Sequence, residues 1–432
     1  MSGGSAGMKD IMEGAPGAVV PGLVVQKYGG SSVATSEKIR GVAKKIKERV
    51  DAGEKLAVVV SAMGKTTDGL ISLAREVSPS PSAREMDMLL ATGEQISAAL
   101  LAMALNELGI PAVSHNAFQL GIVTSCNYSN ARIQDIDLSQ LERDFERCDV
   151  VVITGFQGVT PEGDLTTLGR GGSDTSAVAV AAKAGARCEI YSDVPGIFTC
   201  DPNKVPGARK LDYVTYGEML ELAALGAKVL HMRAVELAQR YGVELYCAST
   251  FSDERGTLVV KELPEWMEHP AVTGVTVARS QTKFVVKRIP GNGDVISGLF
   301  QALAAQGMNI DMISMVRDEG LSFLTFTVLE GDTERVVKVI SDYMDGHGLK
   351  GWEVEPGISV AKVSAVGIGM SASTGVAGRL FSALRSRKIA ILGISTSDIN
   401  ISVLVEGSSA DAAVEILARE FSLADPEPIR AS

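Results

Sequence analysis

Short β-branched runs alternate with longer segments of mixed polarity from Leu23 to about Glu262. LVVQKYGG is a brief apolar run closed by two glycines. In SEKIRGVAKKIKERV, which follows it, Ile39, Val42, Ile46 and Val50 share one helical face. LAVVVSAM is a continuous β-branched run, as a strand covered on both faces should be, and DVVVITGF, RCEIYSD and VELYCAST read as further buried strands. REMDMLLATGEQISAALLAMALNELG reads as helix interrupted near Gly93. This alternation predicts an α/β domain with a largely parallel sheet, and a ligand bound beyond the carboxyl ends of its strands.

The rhythm changes after ELPEWMEHP (262–270), a hinge-like stretch with two prolines. KFVVKRI, DVISGLFQALAAQGMNIDMIS, LSFLTFTVLEG and a helix from Asp332 to about Met344 form a β-α-β-β-α series. SVAKVSAVGIG, TGVAGRLFSALRSRKIAILGIS, NISVLVEG and a helix from Ala410 to about Phe421 repeat it. LFQALAAQGMNIDMIS and LFSALRSRKIAILGIS align without a gap, so one small α+β unit of roughly 80 residues occurs twice. The expected limits are a disordered tail at 1–22, an α/β domain at 23–262 and a linker at 263–270. The first small unit spans 282–357, and the second is assembled from 271–281 and 358–425.

With 432 residues, two or three domains are expected. The net charge of −11 argues against a nucleic-acid partner, which needs a basic face. Five scattered cysteines without a CxxC, and four histidines without ligand spacing, point to free thiols, a reducing cytoplasmic setting and no resident metal. No apolar run reaches the ~18 residues of a membrane span, and the Gly/Ala-rich first 22 residues lack a signal-peptide core.

Two glycine pairs at strand-to-helix turns are candidate anion sites. SAMGKTT (61–67) is not a third, because a Walker loop needs glycine where Val59 stands. In QKYGGSS, Gly29 and Gly30 let backbone N–H groups approach an anion, and Lys27 projects over the same spot. A tight turn with a snorkelling lysine fits equally well. In LTTLGRGGSDTSA, Arg170 offers a planar fork for a carboxylate or phosphate, beside Gly171 and Gly172. Ser173 or Asp174 would serve as the cap of the alanine-rich helix behind.

Lys27-Tyr-Gly-Gly-Ser-Ser-Val, Thr92-Gly-Glu, Gly155-Phe-Gln-Gly, Thr167-Leu-Gly-Arg-Gly-Gly-Ser-Asp-Thr, Tyr191-Ser-Asp-Val-Pro-Gly-Ile, Cys200-Asp-Pro and Gly226-Ala-Lys-Val-Leu-His occur in one order. Together they resemble the aspartate kinases of the amino-acid kinase superfamily, and the paired C-terminal units resemble ACT domains. The likeness covers nearly everything after residue 22. It implies an N-terminal kinase domain with a mainly parallel sheet sandwiched by helices, followed by two ferredoxin-like α+β ACT domains. It also implies phosphorylation of the L-aspartate side-chain carboxylate by ATP, with Mg²⁺, as the first step toward lysine, threonine and methionine. The nucleophile is already ionised at neutral pH, so no general base is needed and charge neutralisation dominates.

By resemblance, Lys27 and Lys228 neutralise phosphate charge, and Arg170 and Asp174 complete the catalytic set. Tyr28, Gly29, Gly30, Tyr191, Ser192, Asp193, Ile197, Phe198, Thr199, Cys200, Asp201 and Pro202 would line ATP. Ser61, Thr67, Glu94, Phe156, Arg170, Gly171, Gly172, Ser173 and Asp174 would hold aspartate, with Arg170 on a carboxylate and Glu94 and Asp174 toward the ammonium. Two positions depart from the family pattern. Asn203 stands where an arginine is usual, with Lys204 next, and Phe198 stands where a tyrosine is frequent.

The ACT pair implies feedback by lysine and/or threonine, with Asp294, Asn309, Ile310, Asp311, Ser395 and Thr396 as effector-site candidates. It also implies homo-oligomers through these units, and leaves open an internally initiated regulatory chain alongside the full one. The turn Ile289-Pro290-Gly291-Asn292-Gly293-Asp294 replaces the usual Asp-x-Pro-Gly. The rival readings are a sister kinase for another small acid, which usually lacks an ACT pair, and a non-catalytic amino-acid sensor. Intact Lys27, Arg170, Asp174 and Lys228 oppose the latter.

Overall fold

The computed structural model describes residues 20–425 apart from 227–228, 268–269, 291–292, 319, 356 and 371–372. Lys228, the middle of the 289–294 turn, two linker residues and most of the expected tail therefore lie outside the described residues. Of the expected tail, Val20 is buried and its carbonyl accepts from Leu23 N at 3.1 Å, so this residue packs with the domain.

The first unit contains β1 (Leu23–Tyr28), α1 (Ser36–Asp51), β2 (Lys55–Val60), α2 (Thr66–Val77), α3 (Ala83–Leu90), α4 (Thr92–Glu107) and β3 (Ala112–His115). It continues with β4 (Ile122–Thr124), β5 (Ile133–Ile136), α5 (Ser139–Phe145), β6 (Val150–Thr154), β7 (Gln157–Val159), β8 (Leu165–Thr167), α6 (Gly172–Ala184) and β9 (Arg187–Ser192). It closes with β10 (Tyr213–Thr215), α7 (Tyr216–Ala224), α8 (Met232–Tyr241), β11 (Leu245–Ser249) and β12 (Thr257–Val260).

Eight strands form the central sheet in the order β10-β12-β11-β9-β1-β2-β6-β3. All its pairings are parallel except β11–β12. The period of two decides which side chain meets which helix layer. Val24 and Tyr28 of β1, with Leu56, Val58 and Val60 of β2, pack on Ile39, Val42 and Ile46 of α1 and on Leu101 and Leu105 of α4. Val25 and Lys27 point to the opposite face, the side covered by α6. A second sheet, β5-β4-β7-β8, lies off this pattern, and its three- and four-residue strands are too short to register as periodic.

Residues Ala83–Glu107 are apolar and long enough to cross a membrane by composition alone. Their chain breaks at Ala91, buries the carboxylates of Asp87 and Glu94, and packs Leu101 and Leu105 on the sheet. They are a core helix pair of this unit.

The second unit is built on one long strand, β13 (Gly274–Pro290), followed by α9 (Gly293–Ala305), β14 (Ile310–Asp318), β15 (Leu321–Leu329), α10 (Thr333–Gly346) and β16 (Glu353–Val354). It ends with β17 (Ile358–Val366), α11 (Val376–Ser386), β18 (Gly393–Thr396), β19 (Asn400–Glu406) and α12 (Ala410–Glu420). These strands form one antiparallel sheet, β14-β15-β13-β17-β19-β18, with β16 beside β13. The first part of β13 pairs with β17 and its last part with β15, across a bulge between Ala278 and Gln281. Both copies of the repeat thus share this strand. Leu299, Leu303, Val336 and Ile340 fill one core, and Leu380, Leu384, Val414 and Leu417 fill the other.

Phe198–Arg209 also belong to the second unit, although the alternating pattern places them inside the α/β domain. Cys200 and Val205 join the core beneath α11 and α12. Thr199 O accepts from Val275 N at 2.8 Å, and its hydroxyl donates to Leu423 O at 2.6 Å. The sequence hides this excursion because the segment carries no helix or strand period of its own.

Candidate active site

Register aligns the ends of the central strands. Tyr28 pairs with both Val60 and Tyr191, and Val60 with Thr154, so the loops after β1, β2, β6 and β9 all leave from one edge. Gly29 N donates to Tyr191 O at 3.2 Å, Ser61 N to Tyr28 O at 3.1 Å and Gly155 N to Val60 O at 3.0 Å. A Cβ on Gly30 would lie 2.8 Å from Ala62 O, so the turn after β1 tolerates only glycine there. A Cβ on Gly29 would lie 3.4 Å from Lys27 Nζ, which places the ammonium directly beside this glycine cradle.

The helix opposite supplies the counter-charge. Lys27 Nζ lies 2.7 Å from Asp174 Oδ1, and both side chains are largely buried. The same Oδ1 lacks a well-angled hydrogen bond, so the contact is an ion pair whose lone-pair direction is left open. α6 begins after Gly171, which takes φ +67° and caps the helix without a side chain. The cap expected from Ser173 or Asp174 is therefore absent: both lie in the first turn, and Asp174 is turned to Lys27. Its negative charge there also suits the helix N-terminus.

The expected aspartate-binding residues surround this pair. Glu94, in the first turn of α4, is 3% exposed; its Oε1 accepts from Ala62 N at 3.0 Å and its Oε2 is buried without a partner. Burial pushes its carboxyl up to about 7 against the lowering effect of the Ala62 N–H. Ser61 and Thr67 are half-buried, in the loop after β2 and in the first turn of α2. Phe156 has φ +70°, held by its N–H on Ser176 Oγ at 3.1 Å and its carbonyl on Leu168 N at 2.8 Å. A Cβ on Gly155 would strike Ser173 and one on Gly172 would strike Phe156, both at 2.8 Å, so the β6 loop and the α6 entrance interlock. Arg170 is exposed and makes no ion pair or hydrogen bond with any described residue.

The expected nucleotide residues divide. Tyr28 is 1% exposed, stacked on Tyr191 at 5.0 Å with its hydroxyl on Gln26 Oε1, so its side chain is core and only its backbone reaches the loop edge. Ile197 is likewise core. The Tyr191 hydroxyl donates to Glu189, while Ser192 Oγ bonds the turn at Val194 and Asp193 is exposed. Phe198, Thr199, Cys200, Asp201 and Pro202 belong to the second unit. There Thr199 and Cys200 are buried, and Asp201 Oδ1 accepts from Asn203 N and Nδ2 at 2.9 and 3.1 Å. Lys204, a candidate replacement for the missing arginine, lies 3.8 Å from Asp411 of α12.

The effector-site candidates are not brought together within one chain. Asn309, Ile310 and Asp311 lead into β14 at one edge of the antiparallel sheet, and Ser395 and Thr396 sit in β18 at the other. Asp311 pairs with the buried Lys362 ammonium of β17 and accepts from Met312 N at 2.7 Å. Asp294 lies in the first turn of α9.

Sequence reading overlooked Asp87, which is wholly buried, and Arg233, which donates to Leu168 O at 2.5 Å. The signal for Asp87 was available: it shares a buried stripe with Leu90, Glu94 and Leu101, where a charge needs a reason.

A parallel sheet with a lysine-bearing glycine cradle at its carboxyl edge, faced by a buried carboxylate, defines an amino-acid-kinase type of phosphotransferase. The Amino acid kinase family model matches residues 22–249, and an ACT domain model matches 363–421. Aspartokinase 2 of Bacillus subtilis is 44% identical over 403 residues, covering 93% of this chain and 98% of that protein. The aspartokinase of Mycolicibacterium smegmatis is 47% identical over 410 residues, covering 93% and 96%. A crystal structure of E. coli aspartokinase III in complex with aspartate and ADP superposes with TM-score 0.76 at 26% identity, covering 92% of this chain and 99% of that one. Its complex with lysine and aspartate gives TM-score 0.70 at 25% identity, over 92% and 99%. The chain belongs to the aspartokinases, which transfer the γ-phosphoryl group of ATP to the side-chain carboxylate of L-aspartate.

Proposed function

We propose that this reaction runs at the loop edge around the Lys27–Asp174 pair, the observation that carries the assignment of roles. The turn of Gly29 and Gly30 would receive the phosphate chain, with the Lys27 ammonium directly beside Gly29. Lys27, and Lys228 by family likeness, offset charge on the transferring group, where charge neutralisation and positioning dominate catalysis. Asp174 orients the Lys27 ammonium. Arg170, free of protein partners among the described residues, takes a substrate carboxylate, and Glu94 with its unpaired Oε2 takes the ammonium. Mg²⁺ bound with the nucleotide would supply further charge neutralisation, with the exposed Asp193 of the loop after β9 as an acidic candidate to hold it.

Lysine and/or threonine acting on the ACT unit is the proposed feedback signal; the lysine-bound relative supports this reading. Self-association through that unit, in the cytoplasm, completes the proposal. The decisive experiment is Asp174→Asn, assayed by ADP release with aspartate and with glutamate. Loss of the buried partner of Lys27 should lower the melting temperature, and at a temperature where circular dichroism shows the variant folded, kcat should still fall about 100-fold or more. Turnover within about twofold of the parent would refute the assignment.

A further inference from the structure

Asp87 is a charged group that the reaction scheme leaves unused. Its side chain is wholly buried in α3, and no cation pairs with it among the described residues. A buried carboxylate without a counter-ion is tolerable only when N–H and O–H donors saturate it. Four do. Thr167 N and Ser129 N each donate to Oδ2 at 2.8 Å, while Thr167 Oγ1 and Ser129 Oγ donate to Oδ1 at 2.8 and 3.3 Å.

All four donors lie at the root of the turn that presents Arg170. Thr167 ends β8, and the chain then runs through Leu168 and Gly169 to Arg170. Ser129 has φ +64°, and its carbonyl would lie 3.0 Å from a Cβ on Gly169, whose φ is +76°. Fixing Ser129 and Thr167 together therefore fixes the space into which Gly169 folds. Arg233 of α8 secures the other side, donating to Leu168 O at 2.5 Å and Ala131 O at 3.0 Å. Meanwhile α3 runs through Ala91 directly into the first turn of α4, which holds Glu94. Asp87 thus joins the helix pair bearing Glu94 to the turn bearing Arg170.

We propose that Asp87 is a positioning residue for aspartate recognition, setting the separation between Arg170 and Glu94 through its bonds to Thr167 and Ser129. The inference rests on the reading of those two residues as the carboxylate and ammonium contacts. A ligand read at both ends is sensitive to small errors in that separation. Gly29 and Gly30, the cradle for phosphate, make no hydrogen bond to Asp87, Ser129 or Thr167 among the described residues.

The test compares Asp87→Asn, Thr167→Val, Thr167→Ser and Arg170→Ala in the full chain, with KM for aspartate and for ATP measured separately. Thr167→Val keeps the backbone donor and the shape but loses the hydroxyl; Thr167→Ser keeps the hydroxyl. Asp87→Asn and Thr167→Val should raise KM for aspartate about tenfold, with KM for ATP within about twofold and Thr167→Ser near the parent. If Asp87→Asn fails to fold, the valine–serine comparison decides alone. An unchanged KM for aspartate in these variants, or equal increases for both substrates accompanied by a lower Tm, overturns the inference while Arg170→Ala remains impaired. An unchanged KM for aspartate in Arg170→Ala overturns the underlying site reading as well.

Discussion

Burial holds Glu94 protonated to about pH 7, well above its usual value near 4.5, because its Oε2 has no partner to stabilise the charge. The unfolded chain gives up this proton at the lower pH and the folded chain keeps it. Between those values the native state binds more protons, so stability falls as pH rises through the window. An ammonium placed against Oε2 reverses the preference and expels the proton. Aspartate binding near pH 6.5 should therefore release a fraction of a proton, read as a dependence of calorimetric heat on the buffer's ionisation enthalpy. Glu94→Gln should abolish the release and make the unliganded protein more stable than the parent at pH 8. Buffer-independent heats for the parent would remove Glu94 from the ammonium subsite.

At the scale of elements, the entrance of α6 depends on one glycine. Gly171 combines φ +67° with a Cβ position 2.1 Å from His231 Cγ, the residue that caps α8. Gly242, with φ +68° and open space around it, isolates the backbone contribution. Gly242→Ala should cost about 1–2 kcal/mol. Gly171→Ala should cost visibly more in the unfolding midpoint and should remove activity, since α6 carries Ser173 and Asp174. The glycine pair at this strand-to-helix turn was legible in the sequence, yet the cap expected from Ser173 or Asp174 falls to Gly171 instead. A cap in the left-handed region leaves no side-chain signature, and the Lys27 partner lies far away in sequence. The repeated helices α9 and α11 were equally legible from matched Leu and Phe positions. The second small sheet was not, because strands of three or four residues carry too few alternations to stand out.

For the molecule as a whole, chain order and spatial grouping differ. Phe198–Arg209 are flanked on both sides by kinase-unit residues but fold with the regulatory unit. Cys200 reports on that grouping: burial raises its thiol to about 11, while Cys126 is exposed. In the full chain an aromatic disulfide reagent should titrate Cys126 and leave Cys200 untouched. In a chain ending at Lys261, which lacks Val275, Leu380 and Leu423, Cys200 should become reactive. A Cys200 that stays inert after truncation would mean that the segment finds a second packing site.

The shared strand β13 has a consequence for how such a protein is made and remade. Its opening residues leave the ribosome well before β17, their hydrogen-bonding partner, because the whole first copy of the repeat is synthesised in between. The second copy is therefore a bracket opened early and closed late, with its first strand an unpaired edge during translation. The same nesting shapes inheritance: a recombination event that exchanges the inner copy needs two crossovers, whereas a single crossover leaves the bracket half new and half old.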